Sequence, residues 1–372
     1  MTAMTRSSAV FRRKPQRHRG VAGLVALTAV GAAALATGGP AVAATPLVPP
    51  TITSAFTPAA VGVGESTATA LSVTITNPSA TAKLSALAFT DTLPAGLTID
   101  NPSGVSGTCG STGVITATPG TSIFSLTGGS LAAAASCTIT VEVVASAPGA
   151  LSNNPGPVTS SAGTSAVGAT QTLTVLAAPT VGPVTGIKNK ATYSFGQVVR
   201  PKYSCAQAVD PTALSSCSAG DDLGDTIVSG GKLNTTTPGA HTLSVVATNS
   251  VGLSTTVDFN YRVLPDSRFT ISKVSPKRRG ALGFVLALPG PGTVKVLELG
   301  PKKAIVGTKT VKVTQKRNLK VDLKPTKAGA KLLTPAKGAS PVKLGVKLEV
   351  TFTPKGGVKR TKTQGGIQLT SK

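Results

Sequence analysis

Short runs in which apolar and polar residues alternate one for one recur along this 372-residue chain, bounded by Gly, Pro, Asn and Ser. In L-S-V-T-I-T-N-P the apolar set is Leu71, Val73 and Ile75, stopped by Asn77-Pro78. Cys137, Ile139, Val141 and Val143 form a second set, Leu243, Val245 and Ala247 a third, and Val257, Phe259, Tyr261 and Val263 a fourth. In the last strand-like stretch every even position from Val342 to Phe352 is apolar. Successive side chains of a strand point to opposite faces, so each run buries one face and wets the other. Helical periodicity is almost absent. Many short strands with turn signals between them predict an all-β chain of tandem immunoglobulin-like antiparallel β-sandwiches.

Two proline-containing joints divide these strands. Thr172 to Pro183, T-L-T-V-L-A-A-P-T-V-G-P, closes one unit and opens the next, and Arg262 to Arg268, R-V-L-P-D-S-R, does the same. The predicted units are 44–177, 178–264 and 265–372, each near the ~100 residues of one sandwich, the first somewhat longer. Residues 1–43 have the order of a cleaved secretory signal peptide. Arg12, Arg13, Lys14, Arg17 and Arg19 are its basic region, Val21 to Ala36 its apolar core, and Ala41-Val42-Ala43 its small-x-small site. Sixteen apolar residues fall short of the roughly 20 that span a bilayer, so contact with a membrane is expected only before cleavage. The run K-P-Q-R-H-R after Arg12-Arg13 does not continue a twin-arginine signal, and the general secretion route is expected. The ending Q-L-T-S-K carries no sorting signal, so sortase anchoring is not expected.

Charge is segregated. Residues 44–264 hold seven basic and nine acidic residues, whereas 265–372 hold twenty-four basic and four acidic, a net of +20. The four cysteines fall in two local pairs, Cys109 with Cys137 and Cys205 with Cys217. In an exported chain that arrangement reads as two disulfides. A catalytic thiol needs a nearby histidine, and after residue 43 there is only His241.

Longer stretches carry three resemblances. Phe89 to Ile99, F-T-D-T-L-P-A-G-L-T-I, resembles the signature of a repeat domain of otherwise unknown function in bacterial surface proteins and adhesins. The stretches I-T-S-A-F-T-P-A-A-V-G-V-G-E-S, S-V-T-I-T-N-P, G-G-S-L-A-A-A-A-S-C-T-I-T-V and T-L-T-V match the same family. That likeness implies an extracellular β-sandwich without enzymatic activity, with Cys109 and Cys137 at the family's usual cysteine positions. The second unit is similar to the immunoglobulin-like modules strung along bacterial extracellular proteins. There Y-S-C (Tyr203 to Cys205) and S-S-C-S (Ser215 to Ser218) look like a paired-cysteine hairpin. The third, with F-T-I-S-K-V, P-G-P-G-T-V-K-V, K-P-T-K-A-G and V-K-L-E-V-T-F-T-P-K-G-G, looks like the lysine-rich terminal β-domains of actinobacterial surface proteins.

Candidate chemistry is sparse. No G-x-S-x-G, phosphate-cradling loop, C-x-x-C or H-E-x-x-H occurs, and Ser and Thr lack an activating base. No enzyme and no cofactor are expected. Asp221, Asp222 and Asp225 in A-G-D-D-L-G-D are a weak calcium candidate, because the spacing does not match a D-x-D-x-D-G loop. With no tryptophan and only Tyr193, Tyr203 and Tyr261, an aromatic platform for sugars is not expected.

The lysines remain. Alternation turns Lys320 and Lys324 away from Leu319, Val321 and Leu323, and Lys343 and Lys347 away from Leu344 and Leu348. Lys295 lies between Val294 and Val296, while Lys302, Lys303, Lys355, Lys359, Arg360 and Lys362 add charge in loops. Lysines protect sheet edges and raise solubility, but a net charge of about 2 to 8 suffices for a small domain. The excess predicts electrostatic docking to an anionic envelope polymer or acidic glycan, through ammonium point charges rather than guanidinium forks. Nucleic acid would bind only non-specifically. The expected protein is a non-enzymatic, envelope-associated structural or adhesion protein of a high-GC Gram-positive bacterium. The alternative is an adhesin whose first two units bind a surface protein on another cell or host.

Overall fold

A computed structural model describes residues 47–64, 68–299 and 305–371. The signal-peptide reading of 1–43 lies outside the described residues. Buried apolar side chains gather in three clusters, within residues 52–175, 187–263 and 269–369, which define a first, second and third module. Most residues that alternation assigns to the inward set occupy these clusters; Ala247 is buried outside them, and Val257 and Val342 are only partly buried. Leu71, Val73, Ile75, Ile139, Val141 and Val143 are fully buried, as are Leu243, Val245 and Ala247.

The first module has three sheets. One runs β1 (Thr51–Thr57), β3 (Thr69–Thr76), β8 (Ser136–Ala145), β5 (Leu97–Ile99). A second runs β11 (Gly163–Thr164), β10 (Thr159–Ser160), β4 (Leu84–Thr92), β7 (Ile123–Leu131), β6 (Val114–Ala117). The third joins β2 (Ala60–Gly62), β12 (Gln171–Leu176) and β9 (Gly149–Asn153). Asn77, which ends β3, is buried and staples its turn. Its Nδ2 donates to the carbonyls of Ala82 and Ala132 (both 2.8 Å), and its Oδ1 accepts from Ser79 N. Cys109 and Cys137 are bonded, tying a loop onto β8. Gly110 at φ +89° makes the turn beside Cys109, where a Cβ would strike Ser130.

The second module pairs β13 (Thr180–Val181) with β15 (Cys205–Ala206), and sets β14 (Ala191–Tyr193), β18 (Ser254–Val263), β17 (Gly239–Asn249) and β16 (Leu214–Asp221) in one sheet. Cys205 and Cys217 are bonded. The structure corrects the expected cysteine hairpin: β15 and β16 belong to different sheets, and the bond links the two. At the junction with the first module the Ala177 carbonyl accepts from two buried side chains, Gln207 Nε2 (3.1 Å) and Asn249 Nδ2 (3.0 Å).

The third module packs the sheet β19 (Thr270–Pro276), β20 (Leu282–Leu288), β23 (Arg317–Leu323) against the sheet β22 (Lys309–Val313), β21 (Gly292–Glu298), β24 (Lys343–Pro354), β25 (Arg360–Thr370). Lettered A to G in chain order, these sheets are A-B-E and D-C-F-G. This is immunoglobulin-like topology with the fourth strand carried by the C-F-G sheet. Residues of both sheets share one core, in which Leu286, Val294, Leu348 and Phe352 are fully buried.

Two departures from antiparallel order appear. β2 runs parallel to β12, and β14 parallel to β18; both are three-residue pairings. Among the described residues one α-helix, α1 (Lys327–Leu332), begins within the K-P-T-K-A-G stretch. The Thr326 hydroxyl accepts from Gly329 N as its N-cap, and a Cβ at Gly329 would strike the Ile305 backbone. Six residues are too few to show helical periodicity, which is why alternation analysis misses it.

Candidate functional site

The basic residues of the third module lie on strands whose registers decide where each points. Lys295 opposes Thr310 of β22 and Thr351 of β24, on the outer face of the D-C-F-G sheet. Lys312 opposes Thr293 on that face, and Lys343 and Lys347 are exposed along β24. Between the lysines this face is mostly threonine, with the Thr351 and Thr361 hydroxyls hydrogen-bonded at 2.9 Å. Lys320 opposes Val285 on the outer face of the other sheet, and Lys324 comes just after β23, exposed. The residues expected to act together therefore divide between opposite sides of one sandwich. Lys302 and Lys303 lie outside the described residues.

Lys355 and Lys359 occupy the turn between β24 and β25, exposed. Arg360 and Lys362 correct the expectation of loop charge. They belong to β25, opposite Phe352 and Val350, and so stand on the core side of the sheet at its end. The Lys362 ammonium sits 5.6 Å from the centroid of the Phe269 ring. Sequence reasoning placed them in a loop because the turn-forming K-G-G-V-K-R run hides where pairing resumes.

Few of these cations are neutralised. Both Asp266 oxygens accept from Arg268, at 2.9 and 3.0 Å, and Lys277 pairs with Asp322. Burial opposes ionisation of Asp266, but the Arg268 bonds outweigh it and hold the carboxyl below its ordinary value. Asp322 is held low by Lys277, with Lys309 and Lys320 adding to the effect. Glu298 turns inward to accept from Val306 N at 2.6 Å, and burial raises its pKa.

In the acidic loop of the second module the carboxylates are engaged by hydrogen-bond partners. Asp221 Oδ1 accepts from Leu223 N and Asp225 N, and Asp225 Oδ2 accepts from Asn234. Asp222 Oδ2 lies 3.1 Å from His241 Nδ1, and Asp222 Oδ1 accepts from Thr242 N. The carboxylates serve the loop and the histidine, and no cluster of three or more acidic, His or Cys side chains among the described residues is placed to hold an ion. His241 is buried, its Nε2 2.9 Å from the Thr237 carbonyl oxygen. The three tyrosines have structural places. Tyr193 and Tyr261 are buried, and Tyr203 donates to the Ile227 carbonyl. Burial, then the three aspartates, raise the Tyr261 pKa.

Sequence reasoning passed over one buried polar pair. Asp91, within the F-T-D-T-L-P stretch, is fully buried and accepts at Oδ2 from Asn153 Nδ2 at 2.8 Å. Burial raises its pKa against the lowering effect of Asn153 and the Thr92 N–H. Asp91 Oδ1 and Asn153 Oδ1 find no protein partner. An aspartate at an inward position of an alternating strand was the available signal.

A family model described as "Domain of unknown function (DUF7933)" matches residues 50–175, about a third of the chain and the span of the first module. No curated protein matches. Among solved structures, a tetra-tandem repeat from the extending region of a large adhesion protein is 15% identical, covering 86% of this chain and 74% of that one, with a TM-score of 0.31. The major pilin subunit BcpA of Bacillus cereus is 9% identical over 76% and 67%, TM-score 0.28. A protocadherin gammaB7 EC3-6 cis-dimer structure is 11% identical over 88% and 96%, TM-score 0.29. Likeness at this level carries no argument about function.

Proposed function

We propose that this chain is a non-enzymatic, exported structural or adhesion protein of the cell envelope, held there by electrostatic docking of its third module to an anionic polymer. The observation that carries the reading is the exposed cationic surface of a module with net charge +20, most of whose lysines among the described residues lack an acidic partner. Such a surface repels itself and is relieved by a polyanion. Disulfides in the first two modules fit an oxidising compartment. No helix among the described residues is long and apolar enough to cross a membrane.

The test is fractionation of the producing cells with a high-salt wash. At ~1 M salt the Debye length is about 3 Å, and exposed charge–charge docking fails. Release of the chain into the wash, and loss of retention on deleting 265–372, are expected. Full recovery in the medium before any wash would overturn the reading. It would then favour the second one, adhesion through the first two modules, for which retained cell–cell contact by residues 44–264 is the matching observation.

A further inference from the structure

At the end of the third module that meets the second, four cationic side chains border an apolar hollow, one of which, Arg268, is paired with Asp266. The hollow has a volume of about 330 Å³. Its floor is Phe269, Ala287, Leu288 and Pro289, and Lys316, Arg360 and Lys362 stand around it. A second hollow of about 460 Å³ shares Pro289 and Lys316 with it and extends along Phe195, Pro238 and Pro291 toward the second module. Both volumes are in the range of small-ligand sites.

The shape of this cleft, rather than its unpaired charge, sets it apart from the flat sheet face. The carboxylate beside it, Asp266, is consumed: both oxygens bind Arg268, whose guanidinium lies 4.9 Å from the Phe195 centroid and bridges the two modules. Lys316, Arg360 and Lys362 form no ion pair among the described residues. Lys362 is held over Phe269 and is half-buried, so its position is defined by packing rather than left to solvent. Lys295, Lys312 and Lys347 instead project from a flat sheet face among threonines.

We propose that this cleft binds an acidic sugar residue of a polymeric glycan. The carboxylate is taken by Lys316, Arg360 and Lys362, and the C–H face of the ring lies on Ala287 and Pro289, the partly exposed part of the lining, with Phe269 and Leu288 buried beneath. The combination suits that chemistry. A bare anion gains nothing from the apolar floor, and a neutral sugar leaves three converging cations without a counter-charge. The fork of Arg360 matches a carboxylate in two bonds, which lysine alone does not supply. The cleft lies within the third module, and the second hollow, lined by residues of both modules, gives a chain of further residues a path along the proline walls. This inference rests on the electrostatic docking reading and narrows it from a diffuse surface to one site.

The test is calorimetric titration of the full chain with tetragalacturonate at 0.15 M salt, with maltotetraose and a short polyphosphate as neutral and charge-only probes. Two charge-matched triple variants are compared, Lys316→Ala/Arg360→Ala/Lys362→Ala in the cleft and Lys295→Ala/Lys312→Ala/Lys347→Ala on the sheet face. The cleft variant is expected to lose at least about tenfold in affinity for tetragalacturonate, as removal of charged hydrogen bonds does. The sheet-face variant should change less than about twofold, and maltotetraose should not bind. Equal weakening by both variants, or equal binding of polyphosphate, overturns the cleft while leaving diffuse docking intact. Absence of binding by any anionic probe overturns both. Melting curves check that the variants fold. Independently of any variant, tetragalacturonate added to the wild-type chain should shift the backbone amide signals of residues 268–270, 287–288 and 360–362. Shifts spread over the sheet face would overturn the assignment.

Discussion

The first and third modules are both sandwiches, yet they end their sheets in opposite ways. The first has six edge strands, β1, β5, β11, β6, β2 and β9, and none contains a charged residue. Four of them are two to four residues long. The third has four edge strands and every one is charged: Lys273 on β19, Arg317 and Lys320 on β23, Lys309 and Lys312 on β22, Arg360 and Lys362 on β25. Its edges are five to eleven residues long, and β19 is further interrupted by a bulge at Lys273, φ +53°. An unpaired edge is a template for aggregation, and shortness, charge and bulges are separate remedies. Part of the third module's charge is thus explained by its long edges. The cations around Phe269 need a different reason, because Arg360 and Lys362 stand on the core side of β25 and border one hollow with Lys316, which precedes β23.

The two modules also differ inside. The first holds a buried disulfide and the buried Asp91–Asn153 pair, whereas the third has no cysteine and its inward carboxylate, Glu298, is partly buried and accepts from a backbone N–H, that of Val306. Replacing both Cys109 and Cys137 by alanine should have the largest effect, lowering stability of the first module by about 3.6 kcal/mol from loop entropy. Scanning calorimetry should show its transition moving while that of the third stays in place. A shift of both together would mean that the modules unfold as one, and the comparison would break.

Asn153→Leu comes next, at about 1–3 kcal/mol for the lost partner of a buried group. Its cost should shrink in acid. Burial raises the Asp91 pKa above its unfolded value, so the folded state binds more protons between the two values, and stability falls as pH rises through that window. Asp91→Asn should flatten this slope in pH-dependent melting curves; an unchanged slope would assign it to another group.

Smaller in stability but visible in solution is Lys309→Thr/Lys312→Thr/Lys320→Thr, which strips charge from two edges. Concentration-dependent light scattering should rise with stability changed by only about 0.5 kcal/mol, the usual limit for surface sites. Unchanged scattering would leave the edge explanation without support. Smallest is Lys277→Ala. Asp322 is exposed and held low by Lys277, a contribution present at neutral pH and lost in acid, and the melting temperature should not move measurably.

Much of the fold was legible because burial on a strand has a period of two. The inward sets around Leu71, Ile139 and Leu243 come from alternation alone. The parallel pairings of β2 and β14 were not legible, because three-residue strands carry no period and strand direction leaves no mark on composition. The site was legible only as charge. Alternation placed Lys320 and Lys347 outward correctly, but two outward residues on different sheets look the same in one dimension.

The sequence by itself determined the all-β architecture, the cysteine spacings and the concentration of charge in residues 265–372, since each depends on local pattern or count. Tertiary structure alone decided which cations share a face, that Cys205–Cys217 joins two sheets, that Asp222 serves His241, and that Asp91 meets Asn153. It also gathered Lys316, Arg360 and Lys362 around Phe269. Those relations join residues far apart in the chain, and they are set by strand order and register, to which local alternation is blind.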